Sequence, residues 1–327
     1  MTGEDLATEL ERILAALEII GPGVFRLGHG PLVQVAPEQG AAVLASSLYT
    51  NCYAHRFPGP PAATPWGADP SHAARLDAAV RSVERWDTGW RVYGAHPDGS
   101  LGVIKGETQR LALPGQYLAQ QAHGGVPAVG ETVALWMPRS SATLQSAFHF
   151  AFGETPADRW DEAVLVRFYF NTTPPGVPDL LAWVTGTLNA YRIAFRMKAL
   201  VDPALYTRSD AAVLYVARRH ATIVARLLAE PDCWGPAGLD DPVPLFTLRF
   251  APGIGIAEEP GTGESFGMHR CRLLAEALLG TTERGAAQRM AAVRARFAAE
   301  GLDLDRPWMS PAHTDIYSDL TVAALAA

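Results

Sequence analysis

The chain has 327 residues, 48% of them hydrophobic and 19% charged, and a net charge of -7, which supplies material for a substantial core and argues against the clustered basic face of a nucleic-acid binder. No apolar run approaches the ~18 residues of a membrane span, and Glu4, Asp5, Glu9 and Glu11 give the N-terminus the wrong charge for a signal peptide. Cys52, Cys233 and Cys271 are odd in number and lack CxxC or Cys/His spacing, so neither a disulfide framework nor a zinc site is indicated, and a cytoplasmic setting is expected.

In chain order, residues 4–19 carry Leu6, Leu10, Ile13, Leu14 and Leu17 at helical spacing. A second helical run ends in VLASSLYTNCYAHRF, and PGPPAATPWGADP then breaks the pattern. A third helix is expected over residues 71–86 with Ser71 as its N-cap. From about Trp90 the period changes to strand and turn through WRVYGA, LGVIKGETQRLAL, GETVALWMP, SAFHFAFGE and AVLVRFYFN, read as a meander on one antiparallel sheet. Helices are expected over 178–199, 218–229, 265–279 and 282–299, with strands over 211–217 and 244–250. The fold class is therefore α+β, with a helical portion over residues 1–90 and a largely antiparallel, strand-rich body flanked by helices over 91–327, the two forming one unit.

Cations stand where these patterns ask for apolar residues. Alternation along residues 164–171 puts Arg167 on a face with Tyr169 and Asn171. The stripe of Tyr191, Ala194 and Phe195 runs at helical spacing into Lys198, which thus points at the core or at a cavity in it. Arg208 and Asp210 precede the apolar run AAVLYV. An acidic protein that aims several cations inward is built to hold an anion. The competing reading is an internal ion-pair network of Arg208, Asp210 and Asp202. Arg192 and Arg196 fall on the other flank and are expected to be solvated.

LYTNCY near residue 49, SAFHFAFG, VRFYFN, YTRSDAAVLYV and the run from Pro244 to Leu278 together resemble the HopA-type effector family, in an order that covers most of the chain after residue 45. Some members of that family belong to class V lanthipeptide and thioamitide clusters. The resemblance implies a lyase subunit, with a separate kinase-like partner phosphorylating Ser or Thr of a ribosomally made precursor peptide. The lyase then removes phosphate to leave dehydroalanine or dehydrobutyrine. Effector members interact instead with host proteins, so a non-catalytic phosphopeptide-, leader- or protein-binding module is the alternative.

β-Elimination needs a base for the α-proton, an acid, and cations for the phosphate. The base is assigned to Lys105, on one strand face with Val103 and Glu107 and flanked by Gly102 and Gly106; an exposed strand lysine is the plainer reading. Arg167, Lys198 and Arg208 are assigned to the phosphate with Asn171 beside them, and Asp210 to orienting a cation. The acid is His149 or Tyr206, although a lone histidine is more often structural and the family pattern favours an aromatic at 149. EEPGTGESFGMHR reads as a glycine-rich loop entering a helix capped by Ser265, an end suited to an anion, with Arg270 as a secondary contact. Glu258, Glu259 and Glu264 would repel a nucleotide there, and the lysine of a P-loop is missing. No cofactor, metal, membrane or nucleic-acid partner is called for.

Overall fold

The computed structural model describes residues 3–61, 63–120, 125–157, 159–230, 238–282, 285–317 and 320; Cys233 lies outside them. Helix α1 (Gly3–Ala16) buries Leu6, Leu10, Ile13 and Leu14. It stops three residues short of the expected end, because the β-branched pair before Gly21 enters a hairpin of β1 (Leu17–Gly21) and β2 (Val24–Leu27), joined by β3 (Val33–Gln34). Helix α2 (Gly40–Leu48) runs without a break into a π-helical turn, Tyr49–Tyr53, whose wider winding is marked by the bond from Ala54 N to Tyr49 O at 2.8 Å. Helix α3 (His72–Ala79) ends seven residues before the expected boundary, since Val80 is extended and the next strand claims Arg85 and Trp86. Ser71 holds the N-cap position of α3 without a capping bond from its side chain.

The expected meander is two sheets. Strands β4 (Arg85–Ala95), β5 (Leu101–Lys105), β6 (Thr108–Ala112), β7 (Tyr117–Ala119) and β8 (Thr132–Met137) form a five-stranded antiparallel sheet in the order β6-β5-β4-β8-β7. It has a small core of its own around Trp90, Val92, Leu101, Val103 and Val133. After Pro138 the chain starts the second sheet, with β9 (Ser140–Ser141), β10 (Phe148–Phe152), β11 (Leu165–Phe170), β12 (Phe195–Leu200), β13 (Ala212–Ala217), β14 (Leu248–Ala251) and β15 (Ile254–Glu258). Its order is β14-β15-β11-β13-β12-β10-β9, antiparallel throughout. Between and after these strands lie α4 (Arg159–Ala163), α5 (Val177–Ala190), α6 (Ala221–Ala229), α7 (Phe266–Leu279) and α8 (Ala286–Ala299).

The main departure from expectation is at residues 191–200. Helix α5 ends at Ala190, Arg192 takes a left-handed conformation (φ 52°), and Phe195–Leu200 is a strand paired on both sides. FRMKAL also alternates at period two, and pairing with β10 and β13 decides the matter. One face of the large sheet, with Val166, Phe168, Leu214, Met197 and Ala151 at full burial, meets α5. No helix among the described residues is long and apolar enough to cross a membrane.

Candidate functional site

The other face of the large sheet carries the cations, and strand register lines them up. Phe152, Arg196, Tyr215 and Arg167 stand opposite one another across β10, β12, β13 and β11. The next row along the strands is Phe150, Lys198, Val213 and Tyr169. Because side chains alternate, both rows project from one face. The Tyr215 ring lies between two guanidiniums, Arg167 at 5.1 Å and Arg196 at 4.8 Å.

A cavity of about 230 Å³ opens over these rows, lined by Arg167, Lys198, Arg208, Asp210, Tyr49 and Gln145 among others. Its cations are held in two different ways. Arg167 is buried and forms a bidentate ion pair with Glu259 through Nε and Nη2, leaving Nη1 with a 3.5 Å contact to the Tyr169 hydroxyl. Arg208 is gripped likewise by Asp210, Nε to Oδ1 at 2.7 Å and Nη2 to Oδ2 at 2.9 Å. Its Nη2 also donates to the Tyr49 hydroxyl at 3.0 Å, which itself donates to Asp210 at 3.2 Å. Among the described residues Nη1 of Arg208 has no partner and remains a donor to whatever enters. Each carboxylate thus fixes a guanidinium by one edge and leaves the rest for a ligand. Burial, followed by the Asp210 charge, pushes the Tyr49 phenol well above its ordinary range, so it stays protonated.

Lys198 differs. No carboxylate among the described residues pairs with it; Nζ meets only the Gln145 amide oxygen at 3.2 Å and the face of Phe148 at 4.2 Å from the ring centre. Burial, then the neighbouring charge of Arg167, lowers its pKa from 10.5 to about 8, with Arg208 and Arg196 adding to the effect and Asp210 opposing it. With both arginines neutralised by carboxylates, the protonated lysine gives the cavity a net charge of about one. The N-terminus of α7 borders the same space through Ser265 and Gly267, and Ser265 caps it by accepting from Met268 N at 3.4 Å, which brings the positive end of the helix dipole to the cavity. Gly267 is needed for this approach, since a Cβ there would stand 2.4 Å from the Tyr53 ring.

The structure therefore brings together Arg167, Lys198, Arg208 and Asp210, and adds Tyr49 and Glu259, which sequence reading did not assign to the site. The other candidates lie elsewhere. Lys105 sits on β5 of the small sheet, exposed, paired with Asp87 at 2.8 Å beside Trp90; its strand belongs to the wrong sheet for the cavity. His149 alternates to the opposite face of β10 from Phe148, buried near Asp77 at 3.7 Å, and burial lowers its pKa. Tyr206 is buried with its hydroxyl donating to Leu200 O at 2.7 Å and 3.1 Å from His72 Nε2. Asn171 lies beyond the cavity at the end of β11 and donates to Pro242 O at 2.8 Å. Arg270 is buried and clamps the C-terminal segment through Pro307 O at 2.8 Å and Met309 O at 2.9 Å.

Asp202 caps Ala204 N at 3.0 Å and takes no part in the Arg208 network. The three glutamates read as repelling a nucleotide are all engaged: Glu259 with Arg167, Glu264 with Arg272, and the fully buried Glu258 with Arg218, His313 and Tyr317. Cys52 and Cys271 are buried free thiols.

Two solved structures resemble this fold at a distance. One is an effector protein from Pseudomonas syringae pv. tomato strain DC3000, with TM-score 0.40 and 20% identity over 50% of this chain and 63% of that one, so the chain spans under two thirds of its length. The other is an effector protein from Pseudomonas syringae pv. syringae strain 61, with TM-score 0.48 and 17% identity over 84% of this chain and 94% of that one. Both likenesses are too remote to carry an argument about chemistry, and no curated protein matches. Residues 139–309, over half of the chain and including all seven strands of the cation-bearing sheet, match the HopA1 effector protein family, and the chain belongs to that family.

Proposed function

We propose that the chain is a cytoplasmic lyase that eliminates phosphate from phosphoserine or phosphothreonine of a ribosomally made precursor peptide, as in lanthipeptide or thioamitide formation, after a separate kinase-like partner has installed the phosphate. The observation that carries this reading is Lys198, a half-buried lysine with no carboxylate of its own among the described residues, lining the same cavity as two arginines that each have one. Arginines held along one edge present their remaining N–H groups to phosphate oxygens. A lysine whose pKa is lowered to about 8 carries a usable fraction of free amine near neutral pH.

In this mechanism Nζ of Lys198 takes the α-proton and the C–H electron pair forms the Cα=Cβ bond. The Cβ–Oγ bond breaks with its electron pair leaving on the phosphate, held by Arg167 and Arg208. The ammonium just formed on Lys198 returns the proton to the departing phosphate, so atoms and charge balance and the enzyme ends as it began. Lys198 thus replaces Lys105 as the base. The test is incubation with a phosphothreonine peptide and mass spectrometry: the peptide should lose the mass of phosphoric acid as inorganic phosphate appears. Regeneration of threonine with uptake of water would make the protein a phosphatase, and tight binding with no release would make it a phosphopeptide-binding module.

A further inference from the structure

The cation rows do not end at the cavity. On the same sheet face, beyond Arg167, Tyr215 and Arg196, come Leu165 and Ala217, opposite each other across β11 and β13, and Ala194 just before β12. With Phe152 they line a second cavity of about 280 Å³, which shares Tyr215 with the first and is walled on its far side by Met137 and Arg110 of the small sheet. The volume is far more than a single water needs. Charges around it cancel: Arg110 and Arg196 stand against Glu154 and Glu162, and Asp161 is engaged by Arg219 at 2.8 Å. A second phosphate is thus not favoured here, whereas an uncharged apolar side chain meets matching surface.

We propose that this groove binds an apolar side chain of the substrate peptide, two to four residues from the phosphorylated one, a proposal resting on the phosphopeptide reading above. The spacing follows from the sheet. Lys198 to Ala194 is four residues of near-extended chain, about 13 Å, and a bound extended peptide advances about 3.3 Å per residue. A phosphate over Lys198 therefore puts the side chains two to four residues away over Tyr215 and Ala217. Arg196, exposed on the Tyr215 ring, stands between the two cavities where the peptide backbone must pass, as a donor to a peptide carbonyl.

The experiment measures affinity by fluorescence anisotropy for peptides carrying a methylene phosphonate in place of the phosphate ester, which cannot eliminate. Leu, Ala or Asp is placed at each position from -4 to +4, and a blocked tripeptide too short to reach the groove serves as reference. Leucine at one position two to four residues away should bind on the order of tenfold tighter than aspartate there. Ala217→Phe, which fills the groove, and Leu165→Asp, which charges it, should each remove that preference and leave the tripeptide affinity as in wild type. Two variants of opposite chemistry guard against one of them misfolding, which would lower tripeptide affinity as well. Equal affinity for all flanking residues overturns the groove and leaves the lyase reading standing. Failure of the matched phosphopeptides to eliminate, with the flank preference intact, overturns the lyase reading and leaves the groove.

Discussion

The pKa of Lys198 sets the most exposed prediction. A lysine at 10.5 has about one free amine in a thousand at pH 7.5; at about 8, roughly a quarter of the molecules carry it, a gain of about two hundredfold in competent base. The pH profile of kcat/KM should therefore rise about tenfold per unit below pH 8 and level off above it. A bound phosphate dianion beside the ammonium favours its charged form, so the corresponding limb in kcat should lie at higher pH than that in kcat/KM. Lys198→Arg keeps a positive charge and should hold phosphopeptide affinity within a few-fold. Guanidinium does not deprotonate in proteins, so elimination should fall by roughly 10²–10⁴. The assay is phosphate release across pH 6–10 with mass spectrometry of the peptide. A flat profile, or an arginine variant that still eliminates at a comparable rate, refutes Lys198 as the base.

The same lysine should be legible in stability. Its folded pKa of about 8 lies below its unfolded 10.5, so the cost of burying the charge is fully present below pH 8 and fades as pH rises to 10.5. Lys198→Met should therefore stabilise at pH 7 by up to roughly 3 kcal/mol, at ~1.4 kcal/mol per pKa unit, and progressively less above pH 8; urea unfolding at pH 7 and 10 checks it, and a destabilised variant at pH 7 contradicts it. Arg208→Ala should weaken phosphopeptide binding by on the order of 2–3 kcal/mol, the size of a charge-assisted contact, and Asp210→Asn should weaken it less, by releasing the edge that fixes Arg208; calorimetric titration with phosphopeptide separates the two. Lys105→Ala should change neither elimination nor affinity and cost at most ~1 kcal/mol of stability, the usual size of an exposed ion pair such as that with Asp87. His149→Phe should stabilise by about 1 kcal/mol, since both ring nitrogens are buried without a hydrogen bond among the described residues. Its folded pKa lies below the unfolded 6.5, so the gain should grow as pH falls below 6.5; melting curves at pH 7.5 and 5.5 test the sign.

How far the site could be read from sequence depends on where each side chain's partner lies. Arg167 was legible because alternation along β11 fixes its face within six residues, and Asp210 because it follows Arg208 by two. Lys198 was aimed inward by a helical stripe that does not exist: Tyr191, Ala194, Phe195 and Lys198 fit period 3.6, while Phe195, Met197 and Ala199 fit period two. The left-handed turn at Arg192 and pairing with two strands decide between them, and neither is a local property. Lys105 looked like an equally good base, a strand lysine between glycines, and only the split into two sheets after Pro138 removes it. Glu259 lies 92 residues from Arg167, so the sequence offered it as a repelling charge when the fold makes it the anchor. That pairing matters to the chemistry. An inward cation can be there for its counter-ion or for a ligand, and composition cannot distinguish the two. Once Glu259 is assigned to Arg167 and Asp210 to Arg208, Lys198 is left in the cavity without a carboxylate among the described residues, where burial, followed by the charge of Arg167, holds its pKa below the ordinary lysine value.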